Sequence, residues 1–83
     1  MSDEEILARL AEIAAAKLDY HGELRPGMHL VEDLELDSIR LLTLSIEVED
    51  SFRICLDEDD EAGIATAGDL VAVIREKLAA ARG

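Results

Sequence analysis

The sequence predicts an all-α protein, a small four-helix bundle that occupies residues 1–83 as one domain. Apolar residues recur at helical spacing in three segments, and capping residues precede those segments. No segment shows the period-two alternation of a half-buried strand. A chain of 83 residues fits a single domain.

The first helix is predicted over residues 3–18. Ser2 and Glu5 have the spacing of a capping box, in which each side chain bonds the backbone N–H of the other residue. From Ile6 onward, apolar residues recur at intervals of three and four. This segment should therefore place one apolar stripe on the core.

The middle helix is predicted over residues 38–52. Asp37 and Ser38 are two candidate N-caps, since both residue types favour that position. The segment that follows contains neither glycine nor proline, so nothing interrupts the helix before Phe52.

The last helix is predicted over residues 67–81, because Thr66 and Asp69 repeat the capping spacing ahead of an apolar stripe. The acidic stretch before Thr66 has few apolar anchors. A short helix at about residues 59–65 and an irregular link fit that stretch equally well.

Residues 19–37 are predicted to form a long loop, because Gly22, Pro26 and Gly27 interrupt the stretch and its apolar residues show no clean period. So long a loop in a small domain needs anchors. Six apolar side chains are expected to pin it across the helices: Leu24, Met28, Leu30, Val31, Leu34 and Leu36.

The chain is strongly acidic, with 20 Asp and Glu against 8 Lys and Arg and a net charge of −12. Nucleic acid and anionic lipid are bound through Lys and Arg, so this charge argues against both and favours basic partners. No apolar run approaches the roughly 18 residues of a membrane span, so membrane insertion is not expected.

A cytoplasmic monomer is expected. The first residues lack the basic and apolar regions of a signal peptide, and the single Cys55 cannot form an internal disulfide. We expect Cys55 to be half-buried and unreactive. A chain this small has a thin core, so we do not expect an enzyme that acts alone.

The apolar residues of the middle helix fall into two stripes about 140° apart. The first stripe contains Leu41, Leu44, Val48 and Phe52, and the second contains Ile39, Leu42 and Ile46. Either both stripes are buried in the bundle, or the second stays at the surface as a docking face.

Ser38 has a setting of its own at the start of this helix. Its hydroxyl lies beside unpaired backbone N–H groups at the positive end of the helix dipole, which stabilises a phosphate ester by about 0.3–1 kcal/mol. The alternative is that Asp37 or Ser38 is only an N-cap, worth about 1 kcal/mol.

The segment from Leu30 to Leu56 places this serine in a longer motif. Its residues are Leu30-Val31-Glu32-Asp33-Leu34-Glu35-Leu36-Asp37-Ser38-Ile39, followed by Leu42, Leu44, Ile46, Glu47, Glu49 and Phe52. This segment closely resembles the acyl carrier protein family, and the resemblance extends more weakly over the whole chain. Asp-Ser followed by Leu or Ile is a weak motif alone and a strong one in this frame.

In that family the serine carries 4′-phosphopantetheine, attached from coenzyme A by a phosphopantetheinyl transferase, and the thiol of the arm carries the acyl group as a thioester. The resemblance implies that Ser38 is the attachment residue, that Asp37 assists the modification, and that the chain is a non-catalytic carrier. It also implies an acyl-loading enzyme, a ketosynthase or an acyltransferase as partners, with basic docking patches.

The helix after the serine is the docking face in the family. Carried over to this chain, the face contains Ile39, Arg40, Leu42, Thr43, Ile46, Glu49 and Asp50. Arg40 and Thr43 stand where fatty acid synthase carriers usually have acids, which suggests a specialised polyketide or modified-lipid pathway. If an acyl chain folds back between the helices, Leu44, Val48, Ile64 and Leu70 are the expected walls of its cavity.

Two other functions compete with this interpretation. Aminoacyl and peptidyl carriers share the serine but usually have Gly-Gly-Asp-Ser or Gly-His-Asp-Ser, whereas this chain has Glu35-Leu36-Asp37-Ser38. A cofactor-free interaction module is the second alternative. A serine hydrolase is disfavoured, because the chain lacks Gly-x-Ser-x-Gly.

No metal site is expected. Asp57, Asp59 and Glu61 alternate as in a calcium loop, but Ala62 and Gly68 stand where that loop needs Gly and Glu. His21 and His29 have no cysteine companions for zinc, so they are expected to be loop or surface residues.

Overall fold

A computed structural model describes residues 2–82, which form four helices joined by one long loop. The helices are α1 (Asp3–Lys17), α2 (Ser38–Phe52), α3 (Glu58–Ala62) and α4 (Ala67–Arg82). Met1 and Gly83 lie outside the described residues. Between residues 2 and 82 there is no strand beyond an isolated bridge from His29 to Thr66. The predicted all-α fold is confirmed.

The predicted capping box starts α1. Ser2 Oγ accepts the backbone N–H of Glu5 at 3.2 Å, and Glu5 Oε1 accepts the backbone N–H of Ser2 at 3.1 Å. The backbone N–H of Ser2 donates to the ionised carboxylate, which lowers the pKa of Glu5. α1 ends at Lys17, one residue earlier than predicted.

The short helix α3 begins and ends earlier than the predicted range of 59–65. Asp57 is its N-cap: its Oδ1 accepts the N–H of Asp60 at 2.8 Å, and Asp60 Oδ2 accepts the N–H of Asp57 at 3.2 Å. This second capping box fixes the start at Glu58. The helix ends at Ala62, and the N–H of the C-cap residue Gly63 donates to the Asp60 carbonyl at 3.2 Å.

The start of α4 is held by the predicted pair. Thr66 Oγ1 accepts the N–H of Asp69 at 3.1 Å, and Asp69 Oδ2 accepts the N–H groups of Thr66 at 3.1 Å and Ala65 at 3.0 Å. The two backbone donors lower the pKa of Asp69. The sequence-based start of this helix at residue 67 is confirmed.

The core lies between α1, α2 and α4, with α1 in contact with both of the other long helices. Ile6, Val48 and Ile74, one from each helix, are fully buried at its centre. Burying a side chain of this size stabilises the fold by about 1.5–3 kcal/mol. The three long helices therefore hold the domain together, and α3 adds no buried residue.

The loop between α1 and α2 is anchored as predicted at most positions. Leu30, Leu34 and Leu36 are buried, and Leu24 and Met28 pack against the core while half-buried. The expectation was wrong for Val31, which is 57% exposed. The chain turns between Leu30 and Leu34, so the two leucines point inward and the intervening valine faces out.

Candidate functional site

Ser38 is the first residue of α2, and its neighbour Asp37 is the N-cap. Asp37 Oδ1 accepts the backbone N–H of Arg40 at 2.8 Å, which settles which of the two candidates caps the helix. The Ser38 side chain is consequently not needed as a cap, and the residue is exposed. Its hydroxyl is open to an external reagent.

The chain enters α2 through a fixed turn. Glu35 has a φ of 56°, in the left-handed region that non-glycine residues rarely occupy. Leu36 follows, buried to 2% exposure, with its N–H donating to the Leu30 carbonyl at 3.3 Å. A buried leucine two residues before Ser38 fixes the position of the serine on the scaffold.

The amino end of α2 is electrostatically unlike those of α1 and α3. The first turn of α1 carries three acidic residues and that of α3 carries four, whereas the first turn of α2 carries none. Arg40 lies in that turn instead. Apart from the Asp37 cap, no carboxylate of this turn offsets the positive end of the dipole, which favours a phosphate on Ser38 by about 0.3–1 kcal/mol.

An open groove of about 360 Å³ begins at Ser38 and runs between α2, α3 and α4. It is lined by Leu30, Ser38, Leu41, Leu42, Leu44, Ser45, Glu61, Ile64 and Leu70. Three of the four expected walls are among these residues. Val48 is the exception, because its side chain is fully buried in the core.

The second apolar stripe of α2 is exposed. Ile39, Leu42 and Ile46 have exposed fractions of 75%, 60% and 54%, whereas Leu44 and Val48 are buried. The interpretation with both stripes buried is therefore wrong. The alternative, a hydrophobic surface beside Ser38, is what the structure has.

The polar residues predicted for this face differ in their availability. Thr43 Oγ1 donates to the Ile39 carbonyl at 3.0 Å, so its hydroxyl is turned back onto the helix. Glu49 Oε2 accepts the N–H of Leu56 at 3.0 Å and so fixes the segment that follows α2. Arg40 and Asp50 are the exposed charged residues of the predicted set.

Sequence reasoning missed five groove residues: Leu30, Leu41 and Leu42, which were assigned other roles, and Ser45 and Glu61, which were assigned none in a cavity. Ser45 was detectable, since it follows Ser38 by seven residues and so lies on the same side of the helix two turns on. Glu61 was not, because no sequence pattern shows that α3 lies beside the groove.

Cysteine and histidine lie apart from this site. Cys55 is exposed, which corrects the expectation that it is half-buried. His21 lies 3.1 Å from Asp19 in the loop, and His29 is exposed. Among residues 2–82, no three His, Cys, Asp or Glu side chains are grouped as metal ligands would be. The described helices also include none with the length and apolarity needed to cross a membrane.

The relatives found by comparison with known proteins agree with one another in the name that they carry. The chain is 34% identical over 76 residues to the meromycolate extension acyl carrier protein of Mycolicibacterium aurum, covering 90% of this chain and 78% of that protein. It is 34% identical over 79 residues to the acyl carrier protein of Exiguobacterium sp., covering 94% of this chain and all of that protein (100%). No family model matches the chain.

A solved structure shares the fold. The crystal structure of an acyl carrier protein from Thermotoga maritima superimposes with a TM-score of 0.85 at 25% sequence identity. The match covers 98% of this chain and 95% of that one.

Proposed function

Because the chain belongs to the acyl carrier protein family, we propose that the Ser38 hydroxyl is the attachment point of a 4′-phosphopantetheine arm on which the protein carries acyl groups. One observation carries the assignment: Ser38 is exposed at the start of α2 and also lines the mouth of an apolar groove. A group joined to this oxygen can reach solvent and the groove from one attachment point.

The residues around Ser38 fit a phosphodiester. The first turn of α2 carries Arg40 and no acid, so the helix-capping Asp37 is the one carboxylate adjacent to Ser38 in the chain. When bound, the arm supplies a terminal thiol that holds an acyl group as a thioester. The protein contributes no catalytic group of its own and acts as a carrier for partner enzymes.

The groove is suited to an acyl chain. Six of its nine lining residues are leucine or isoleucine, and its volume of about 360 Å³ lies within the usual range of ligand pockets, about 300–1,000 Å³. Leu41, Leu44 and Leu70 offer apolar contact that removes the methylene groups of a chain from water. Each methylene buried in this way contributes about 0.8 kcal/mol.

The exposed face of α2 serves as the docking surface. Ile39 and Ile46 provide apolar contact next to Ser38, and Asp50 provides a negative charge for the basic patch of an enzyme. Exposed charge pairs speed encounter more than they prolong residence. Docking of this kind lets the phosphopantetheinyl transferase, an acyl-loading enzyme, a ketosynthase and an acyltransferase use one surface in turn.

A specialised pathway fits the composition of this face. Arg40 and Thr43 stand where carriers of fatty acid synthases usually have acids, and relatives at 34% identity are named for meromycolate extension. We infer a carrier for a modified-lipid or polyketide pathway, working as a cytoplasmic monomer. This pathway assignment would be contradicted if the malonyltransferase of the host's fatty acid synthase loaded the protein efficiently with malonyl groups and the host ketosynthases extended them at ordinary rates.

The attachment site is tested by intact mass spectrometry after incubation of the apo protein with coenzyme A and a promiscuous phosphopantetheinyl transferase. The wild type and Ser45→Ala should each gain the mass of one phosphopantetheine group, and Ser38→Ala should gain none. Ser45 is the matched control because it lies on the same helix and lines the same groove. An unmodified wild type, or equal modification of Ser38→Ala, would overturn the proposal.

A further inference from the structure

The beginning of α2 carries an exposed positive charge in a protein whose net charge is −12. Arg40 follows Ser38 by two residues and is exposed. The four ion pairs found among residues 2–82 are made by His21, Arg25, Arg75 and Lys77, so Arg40 takes part in none of them. Its charge is available to a partner.

The helix itself supplies no counterion for this guanidinium group. Side chains three or four residues apart are neighbours on a helix, and Thr43 and Leu44 occupy those positions. Asp37, three residues earlier, uses Oδ1 to accept the backbone N–H of Arg40. Glu47 is seven residues on, about 10 Å along the helix axis, which is too far for a direct contact.

An exposed apolar residue precedes Arg40, so an enzyme that docks there also meets the charge of Arg40. Ile39, the adjacent residue, is 75% exposed and is the most exposed apolar side chain beside Ser38. Arg40 is the next residue and is also exposed, so an enzyme that covers the start of α2 around Ile39 comes close to the guanidinium group. A desolvated guanidinium needs a hydrogen-bonding anion, and the planar carboxylate matches it with two parallel bonds.

We infer that Arg40 selects the partner enzymes of this carrier: an enzyme that acts on it places a carboxylate opposite Arg40, next to an apolar contact for Ile39. An enzyme with lysine or arginine at that point docks more weakly, because like charges meet at the interface. The inference rests on the proposed function, since it concerns docking at the face that presents Ser38.

The first test compares two charge reversals on one helix. Arg53 is exposed at the far end of α2 and takes part in none of the four ion pairs, and Arg53→Glu changes the net charge as much as Arg40→Glu does. The probe is a fatty acid malonyltransferase with a basic docking surface, acting on each holo protein. Arg40→Glu should lower its KM about three- to tenfold relative to Arg53→Glu, with kcat unchanged. The difference should vanish near 1 M salt, where the Debye length is about 3 Å.

The second test uses the host ketosynthase that has the lowest KM for the wild-type holo protein. Arg40→Glu should raise that KM, and replacing the facing carboxylate of the enzyme with arginine should restore it. If Arg40→Glu and Arg53→Glu change KM equally with both enzymes, only net charge matters and the inference is overturned. Intact mass is measured first on every protein: an unmodified wild type would count against the proposed function, whereas KM values are compared only among variants that carry the arm and so test the role of Arg40.

Discussion

The ammonium nitrogen of Lys77 lies 2.8 Å from Oδ2 of Asp60, and this ion pair joins α4 to α3. The two side chains are 32% and 22% exposed, less than those of the other three ion pairs, so solvent screens this pair least. Since α3 buries no residue, the pair and the Asp57 cap are its main polar supports. α3 in turn supplies Glu61 to the wall of the groove.

Lys77→Gln should therefore loosen α3 without unfolding the bundle. Hydrogen exchange of the amides of Glu61, Gly63 and Ile64, which bond within this segment, should become faster, while exchange at the core residue Ile74 stays unchanged. Lys17→Gln is the matched control, because Lys17 is exposed and takes part in none of the four ion pairs. Equal exchange in the two variants would show that the ion pair does not hold α3.

The ionised cap of α4 predicts a stability change in acid. The pKa of Asp69 is lowered by the backbone donors Ala65 and Thr66, so the unfolded chain binds a proton more readily than the native one. Asp69 thus contributes stability above its ordinary pKa of 3.8, and this contribution is lost as the pH falls through the lower native value.

Urea unfolding of the wild type and Asp69→Asn at several pH values measures this contribution. The wild type should be the more stable at neutral pH, and the gap in free energy of unfolding should shrink below about pH 3.8. Thr66→Ala removes the other half of the cap but keeps the two backbone donors that contribute most to the lowered pKa of Asp69, so its loss of about 1 kcal/mol should vary less with pH than that of Asp69→Asn. If the difference in free energy of unfolding between the wild type and Asp69→Asn stayed constant in acid, the ionised Asp69 carboxylate would not be the source of the stability.

Gly68 marks a close approach between α4 and the loop. Its N–H donates to the Pro26 carbonyl at 2.8 Å, and a Cβ at this position would lie 2.9 Å from that oxygen. Gly68→Ala should destabilise the protein by about 1–3 kcal/mol, because the backbone of the loop must move.

Gly63→Ala is the matched substitution for this test. Gly63 has a φ of −86°, and an added Cβ would be 3.7 Å from the nearest atom, the Asp60 carbonyl oxygen. Alanine there should stabilise the protein by about 0.4–1 kcal/mol, since it restricts the unfolded chain without strain. Thermal unfolding of the two variants should give shifts of opposite sign, and a stabilised Gly68→Ala would refute the close approach.

Features that depend on nearby residues were predictable from the sequence. The capping boxes of Ser2 and Glu5 and of Thr66 and Asp69 follow from a spacing of three, and both form. The start of α2 was predicted from another local signal, the candidate N-caps Asp37 and Ser38. Asp57 and Asp60 also have the spacing of a capping box, yet this stretch was left open between a short helix and an irregular link, and the capping role was missed.

Features that depend on distant residues were not predictable. One example is the ion pair of Lys77 with Asp60, and another is the hydrogen bond from the Leu56 N–H to Glu49. No local sequence pattern predicts which of these residues come together. The periodicity of α2 located both apolar stripes but not which one is covered, because that depends on where α1 lies. The motif predicted Ser38 as the attachment residue, but the groove beside it also depends on Leu30 and on Glu61, Ile64 and Leu70, which lie at a distance along the chain.

The two stripes of α2 can be separated by a pair of identical substitutions. Leu44 is 6% exposed and Leu42 is 60% exposed, although they are two residues apart on one helix and both touch the groove. Leu44→Ala should cost about 2–5 kcal/mol, the usual range for truncating a buried leucine. Leu42→Ala should stay within about 0.5 kcal/mol of the wild type, as an exposed site does.

The same pair separates stability from docking. In the holo protein, Leu42→Ala should raise the KM of a partner enzyme while the thermal midpoint remains that of the wild type, because an exposed leucine next to Ser38 contributes contact area only when an enzyme covers it. Chemical denaturation and steady-state kinetics on one sample check both expectations. A large loss of stability in Leu42→Ala would place the second stripe in the core and remove the structural basis of the docking face.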